Sequence, residues 1–555
     1  MHPSTAQAQV LVDELVRNGV RHVVLAPGSR NAPLSFALFH AAQAGRLELH
    51  VRVDERSAAF LALGAGKRTG SPAAVVCTSG TAAANLHPAV SEAHHAGVPL
   101  LVLTADRPPE LRAARANQTI EQHHLYGGEV RYCDELGVAE DRPGQNAYWR
   151  SQVARACRTA RGGLPGPVHL NLPFREPLVP SGDERWCEPL DGRPGGQPWT
   201  RVSAGGQPGA LTSVRARRGL VLVADGTDRA EEAAAWAQRH GWPLLSESGG
   251  VGLPGAIGTG TWLLGLPEFL REHTPEQVVC VGRPTVFRQV QGLLADPSVE
   301  VLLVHGDSTA WPAPGHDVHE VAGTFGEPRE PADPAWLTAW QQADQKAAAG
   351  LDAALDLQRW PNGPAVARDL VDALPEGALL ALGSSNPTRD AALAARRRPD
   401  VALLRNRGAA GIDGTVSTAV GAALAHPGPA YALVGDLTFL HDANGLLAGP
   451  HERRPDLALV VFNDDGGGIF SLLEQGGAEH AESFERVFGT PHGTDLAQLC
   501  AAHGVPHALV RERGELVREL APQPGLRVLE VRGDRSELRG LHDTLRAAVR
   551  SAVLG

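Results

Sequence analysis

The most constraining feature of the chain is a transition repeated along its length: a short, wholly apolar run that ends in glycine, serine or aspartate and is followed by a helix-like stretch. HVVLAPG from His22, AAVVCTSG from Ala73 with a helix expected from Thr81 to about Ala96, and PLLVLTAD from Pro99 occupy the first third. GLVLVADG, EQVVCVGRPT and VEVLLVHGD follow in the middle, and ALLALGSSN, ALVGDLTF, LALVVFNDDGGG and RVLEVRGD in the last third. Runs with no polar face are strands buried on both sides, the mark of parallel sheets. Alternation with helices makes the fold α/β. Parallel sheets bind ligands beyond the carboxyl ends of their strands, so the polar residues that close these runs are the functional candidates. Asp436, at the end of YALVG, is the clearest of them.

The runs fall into three groups, which predicts three consecutive doubly wound domains with mainly parallel sheets, at 1–180, 205–335 and 355–555. The Pro/Gly-rich segment Pro180 to Gly209 reads as the first linker and the Pro-rich GEPREPADPAW as the second boundary. A chain of 555 residues suits that number. The first residues read as a helix with Ser4 and Gln7 as a capping box and Gly19 as its stop, not as an export signal. No apolar run reaches the ~18 residues of a membrane span. Six cysteines without a CxxC pair suggest neither a zinc site nor a disulfide framework, and a cytoplasmic location is expected. The net charge of -11, with no dense basic tract, argues against nucleic acid as a partner. Lys67 and Lys346 are the only lysines, so an isolated arginine here says little about anion recognition.

Two pairings carry chemistry. VLAPGSRNAP and LALGSSNPTRD both place Gly-Ser at the end of an apolar strand before a helix, where backbone N–H groups can receive an anion. Asp436 closes one strand, and Asn463, Asp464 and Asp465 close the next strand-like run. On one edge of a parallel sheet these groups, with a backbone carbonyl and phosphate oxygens, would make an all-oxygen octahedral site suited to magnesium. Any one aspartate could instead cap a helix.

The pair GDL and NDD resembles the Gly-Asp-Gly and Asn-Asn of thiamine-diphosphate enzymes. Both departures match the branch that makes 2-succinyl-5-enolpyruvyl-6-hydroxy-3-cyclohexene-1-carboxylate (SEPHCHC) in menaquinone biosynthesis, which the chain resembles through PGSRNAPL, DERSAAF, TSGTAAANLHPAV, TADRPPEL, ANQTI, NRGAAGIDGTVSTA, GDLTFLHD and NDDGGGIFSLL. The resemblance implies a pyrimidine-binding first domain, a central domain and a diphosphate-binding third domain, with thiamine diphosphate and Mg2+ or Mn2+ as cofactors. It implies Asp436, Asp464 and the Gly466 carbonyl as metal ligands, with Asn463 as the alternative for the second. Ser384, Leu437, Thr438 and Gly80 would line the cofactor, and Ile412 would wedge it into a bent shape. Glu55 would share a proton with the aminopyrimidine ring.

The substrates implied are 2-oxoglutarate and isochorismate, both dicarboxylates, which call for guanidinium forks. Matching positions are Ser29, Arg30, Arg107, Gln118, Ser385, Arg389 and Arg407, with Ile469 and Phe470 as an apolar wall; Arg288 fits the motifs more loosely and suits a surface role as well. The family further implies a homodimer at least, with a homotetramer as the fuller assembly, because one subunit presents its glutamate to a diphosphate held by another. Rival readings are another thiamine-dependent carboligase such as an acetohydroxyacid synthase, a catalytically silent paralogue, and a nucleotide-binding module. The last lacks a GxGxxG after a strand. His94-His95 and His123-His124 read as structural or surface residues.

Overall fold

The computed structural model describes all residues except 181, 183, 184, 201–208, 306–310, 315 and 316; part of the Pro180–Gly209 linker thus lies outside the described residues. Among the described residues seventeen strands form three sheets, and every pairing within them is parallel. The first sheet contains β1 (His22–Leu25), β2 (Glu48–Val51), β3 (Ala73–Cys77), β4 (Leu100–Asp106), β5 (Tyr132–Glu135) and β6 (Pro167–Pro173), in the order β2-β1-β3-β4-β6-β5. The second contains β7 (Gly219–Val223), β8 (Leu244–Ser246), β9 (Gln277–Val281), β10 (Glu300–Val304) and β11 (Glu320–Ala322), in the order β11-β10-β9-β7-β8. The third contains β12 (Leu379–Leu382), β13 (Ala402–Arg405), β14 (Ala430–Gly435), β15 (Leu457–Asn463), β16 (His507–Val510) and β17 (Leu526–Arg532), in the order β13-β12-β14-β15-β17-β16.

The first and third sheets therefore share one strand order. In each, the chain reverses direction between its first strand and its third, leaving a crevice at the carboxyl ends of β1 and β3 and another at those of β12 and β14. Such switch points are where doubly wound sheets take ligands. The turns PGSR and TSG flank one crevice, and GSS and GDL the other.

The residues gather into two compact units. One comprises Met1–Gly205 with Gly408–Pro427 and His441–Pro455; the other comprises Gly206–Arg407, Gly428–Leu440 and Asp456–Gly555. The first unit is built on the first sheet, and its core runs from Leu11, Leu15 and Val23 to Leu101, Trp149 and Leu170, all buried. The second contains the other two sheets. Val366, Leu380, Leu433, Val460 and Leu529 pack about the third, while Leu220, Cys280, Trp336 and Trp340 pack beside the second.

Two local expectations change. The first helix spans Pro3–Arg17, so Ser4 and Gln7 lie inside it; they donate to the Arg175 and Gly137 carbonyls instead of capping, and the helix start has no side-chain cap. Proline at its first position supplies the helical φ and needs no partner for an N–H. The stretch expected to be one helix from Thr81 is two, Thr81–Asn85 and His87–Ala96, divided at Leu86, which itself keeps helical dihedrals; Pro88 has no N–H for the Ala84 carbonyl and its ring crowds that carbonyl, so the hydrogen-bond ladder is interrupted there. No helix is long and apolar enough to cross a membrane among the described residues.

Candidate active site

In the second unit, the ends of β14 and β15 bring two carboxylates together. Asp436 is buried; its Oδ1 accepts from the Leu437 N–H at 2.6 Å and its Oδ2 from the Gly466 N–H at 2.8 Å. Burial pushes its pKa up. Asp464 is raised further, to about 7, by burial and then by the negative charge of Asp436. The neighbouring residues of NDD turn elsewhere: Asn463 donates to Glu530 at 2.8 Å, and Asp465 accepts from the His492 and Gly493 N–H groups at 3.0 and 2.9 Å. Asp464 is thus the member of the three at which the charge of Asp436 is felt, and the one whose affinity for a proton is raised. Gly466 has φ +141°, and a Cβ there would lie 3.0 Å from the Gly489 carbonyl carbon, so the turn that offers its carbonyl needs glycine. At Gly435 a Cβ would meet nothing within 4 Å, which marks open space over the end of β14.

Across this crevice, β12 ends in GSS. Ser384 is buried and donates to the Asn406 carbonyl at 3.2 Å. Ser385 has φ +74°, a strained conformation for a residue with a side chain, directly ahead of the helix Asn386–Ala394. Arg389 donates back to the Ser385 carbonyl at 2.9 Å. Burial, then the charge of Arg407, holds its guanidinium below the usual range, so two cations crowd one edge. Arg407 is anchored to the Thr285 carbonyl at 2.7 Å. Thr438 is buried and Leu437 half-buried in the short helix after Asp436. Ile469 and Phe470 are half-buried in the turn Gly468–Leu472, with the Phe470 ring 5.7 Å from Phe488. Arg288 lies on the surface, paired with Glu474 at 2.7 Å.

In the first unit, Glu55 opens the helix Glu55–Thr69, whose N-cap Asp54 accepts from the Arg56 and Ser57 N–H groups. Glu55 is half-buried, its carboxylate has no hydrogen-bond or ionic partner among the described residues, and its charge helps hold the Cys77 thiol, at the end of β3, above the ordinary range after burial does most of that. The turns after β1 and β3 touch: a Cβ at Gly28 would come within 2.6 Å of Thr78 Cγ2. Arg30 is buried, donates to the Phe174 carbonyl at 3.0 Å, and leaves Nε without a partner. Arg107 donates to Ser79 Oγ, and burial followed by the Arg30 charge lowers its pKa. Gln118 has φ +60° and exchanges hydrogen bonds with Ser79, its Nε2 donating to the Ser79 carbonyl at 2.9 Å. It lies so close to Gly80 that a Cβ there would be 2.8 Å from Gln118 Cγ. Ser29 is exposed and Ile412 half-buried.

The first of these units matches the model of the thiamine pyrophosphate enzyme N-terminal TPP binding domain over residues 6–125, and residues 384–530 match that of the C-terminal TPP binding domain. Along its whole length the chain is 72% identical to the 2-succinyl-5-enolpyruvyl-6-hydroxy-3-cyclohexene-1-carboxylate synthase of Saccharopolyspora erythraea, with all of both chains covered. The chain belongs to the SEPHCHC synthase family. Proteins with the same name from Nocardia farcinica and Thermobifida fusca are 52% and 48% identical, covering 99% and 100% of this chain and all of their own. Membership accounts for the shared strand order of the first and third sheets, since the family joins two TPP-binding domains in one chain.

The donor set fits the family's cofactor. Asp436 and Asp464 place two buried or half-buried carboxylates side by side, with burial disfavouring both charges and no arginine ion-paired to either among the described residues. Hard oxygen donors held in that way suit a divalent cation such as magnesium. Four further residues of this SEPHCHC synthase leave no mark in the sequence. His492 lies 3.2 Å from Asp436 Oδ2. Asp390 is buried beside Asp464, and burial followed by that charge pushes its pKa to about 8. Buried Glu92 accepts from the N–H groups of Gly408, Ala409 and Ala410 at 2.8, 2.7 and 3.2 Å, fixing the loop that leads to Ile412. Asp442 accepts from Ser57 at 3.2 Å and from the Ser417 N–H at 2.6 Å, joining the helix of Glu55 to the helix Thr415–Leu424.

Proposed function

We propose that this enzyme decarboxylates 2-oxoglutarate and adds the resulting succinyl carbanion equivalent to isochorismate, giving SEPHCHC. Thiamine diphosphate, when bound, supplies the electron sink that makes decarboxylation possible. In this reading Asp436, Asp464 and the Gly466 carbonyl hold Mg2+ or Mn2+, and Ser384, Leu437 and Thr438 border the diphosphate. Gly80 and Ile412 border the organic part of the cofactor. Glu55 holds a proton against the cofactor's ring nitrogen, a role that suits a half-buried carboxylate with no hydrogen-bond or ionic partner among the described residues.

The arginines take the carboxylates. Arg30 and Arg107 repel each other at one carboxyl edge, and Arg389 and Arg407 at another; a bound dianion relieves each repulsion while accepting paired hydrogen bonds. Ser29, Gln118 and Ser385 add neutral donors, and Ile469 and Phe470 exclude water. Segments 1–180, 205–335 and 355–555 act as pyrimidine-binding, central and diphosphate-binding domains. A cytoplasmic homodimer is the minimum active assembly, with a homotetramer as the fuller one.

The observation that carries this reading is the Asp436–Asp464 pair at the β12/β14 crevice of a chain similar to SEPHCHC synthases from end to end. The test is to mix purified protein with thiamine diphosphate, Mg2+, 2-oxoglutarate and isochorismate, following isochorismate absorbance and product mass. Loss of isochorismate that requires every component, with the succinyl adduct formed, supports the reading. Glu55→Gln should slow turnover by about 10²- to 10⁴-fold, the usual contribution of a positioned acid–base group, while circular dichroism is unchanged. Cofactor binding without consumption of isochorismate would point to a silent paralogue.

A further inference from the structure

Among the described residues, one group of His, Cys, Asp and Glu side chains has metal-site spacing, and it comprises none of the residues assigned above to the site: His22, Glu48 and His50, with one ligand atom from each within 4.8 Å of the others. All three belong to the first unit. His22 pairs in register with Glu48 and Val24 with His50, so side chains alternating along β1 and β2 put the three on one face. The two imidazole rings stack, with centroids 5.8 Å apart and planes 11° from parallel. His22 Nδ1 and His50 Nε2 are both buried without a hydrogen-bond partner, and His50 is only 2% exposed. Orphaned ring nitrogens are costly unless something ligates them. Nothing in the mechanism above uses them.

We propose that His22, His50 and Glu48 bind a borderline-soft divalent cation, zinc above all, which clips the edge strand β2 to β1. Two imidazoles and a carboxylate form a donor set that zinc takes with solvent as its fourth ligand. Bonds of roughly 2.0–2.1 Å in a tetrahedron put ligand atoms about 3.4 Å apart. Glu48 Oε2 is now 3.9 Å from His22 Nδ1, and its side chain, 49% exposed at the sheet edge, can swing inward and also provides the way in. Two cations oppose the metal. Arg453 donates to Glu48 at 3.3 Å and must be displaced, and Arg52 acts on His50 electrostatically. β2 continues through Asp54 to Glu55, so the clip would steady the approach to that residue.

The test uses full-length protein saturated with thiamine diphosphate and Mg2+, so that the carboxylate site is filled, and titrates zinc chloride against a chromophoric chelator. One zinc per chain is expected, with affinity weakened about tenfold or more in His22→Gln and Glu48→Gln, the scale on which loss of one ligand or its support is felt. Arg453→Ala should tighten it. Cobalt(II) should give the visible absorption of a tetrahedral site, lost in the same variants. Glu48 is exposed, so its variant folds even if a histidine variant does not. Zinc affinity unchanged in Glu48→Gln and His22→Gln, or no zinc retained at sub-millimolar concentration, would overturn the proposal.

Discussion

At the residue scale, the second crevice is governed by charge that the protein does not neutralise. Asp464 sits beside Asp436 in a poorly solvated place, and its pKa of about 7 records how strongly burial and that neighbour oppose ionisation. Asp390, at about 8, extends the strain one residue further. A stable site for its own sake would not be built this way; one that gains its stability from a cation would be. Asp464→Asn should therefore stabilise the cofactor-free protein, on the order of 2 kcal/mol at pH 8, because one of two opposed charges disappears while the shape stays. The same change should remove the rise in melting temperature that Mg2+ with thiamine diphosphate gives the parent. Thermal melts with and without both additives separate the two effects. A variant less stable than the parent without cofactor would mean that Asp464 is a structural group, and a retained cofactor response would assign the metal to other ligands.

At the scale of elements, the helices Glu55–Thr69 and Thr415–Leu424 approach closely enough to exclude side chains. A Cβ at Gly64 would lie 2.8 Å from the Thr418 carbonyl carbon, and one at Gly421 would lie 2.8 Å from that of Leu61. Both obstacles are backbone, which cannot rotate aside. Gly421→Ala gains about 1 kcal/mol of helix propensity, yet overpacking against rigid backbone costs roughly 1–3 kcal/mol or more, so a net loss is expected in urea denaturation. Turnover should fall with it, since Glu55 begins one helix and Ile412 lies in the turn that leads into the other. Gly540→Ala, in the last helix with nothing within 4 Å, should instead gain up to about 1 kcal/mol. Equal effects of the two changes would show that propensity, not packing, decides. The strands and their Gly-Ser and Gly-Asp ends were legible in the sequence because fully apolar runs have few other fates. The partners of Glu92 and Asp442 were not, because a buried carboxylate whose amides come from Gly408, 316 residues away, leaves no local pattern. His492 escaped for the same reason, its partner Asp436 lying 56 residues back.

At the scale of the whole molecule, each compact unit buries a histidine in its neutral form. His169 in the first is held at about 3 by burial and then by His123 and His124, with Thr104 and Cys133 against its ring nitrogens. His542 in the second is held at about 4, again by burial first and then by the Arg546 charge, which Asp543 partly offsets. A histidine whose folded pKa lies below its unfolded value of 6.5 costs nothing above that pH. Below it the unfolded chain binds the proton and the folded one refuses it, so stability falls as pH drops from 6.5 toward 4. At pH 5 the two together remove about 4 kcal/mol by linkage. Buried Asp442, raised to about 6, works in the opposite direction: its penalty is largest above pH 6 and fades as pH falls toward 3.8, returning about 1 kcal/mol between pH 7 and 5. Asp464 and Asp390, raised to about 7 and about 8, work in the same direction as Asp442, while buried His50, held at about 3, works with the other histidines, so the opposing contributions are of similar size and each is read from its own variant. His542 is the cleaner probe because its Nε2 has no hydrogen bond to lose. His542→Gln should leave the urea midpoint at pH 7.5 nearly unchanged and gain stability relative to the parent as pH falls from 6.5, by up to about 2 kcal/mol at pH 5. Variant and parent midpoint curves that stay parallel across that range would show that His542 protonates in the folded state.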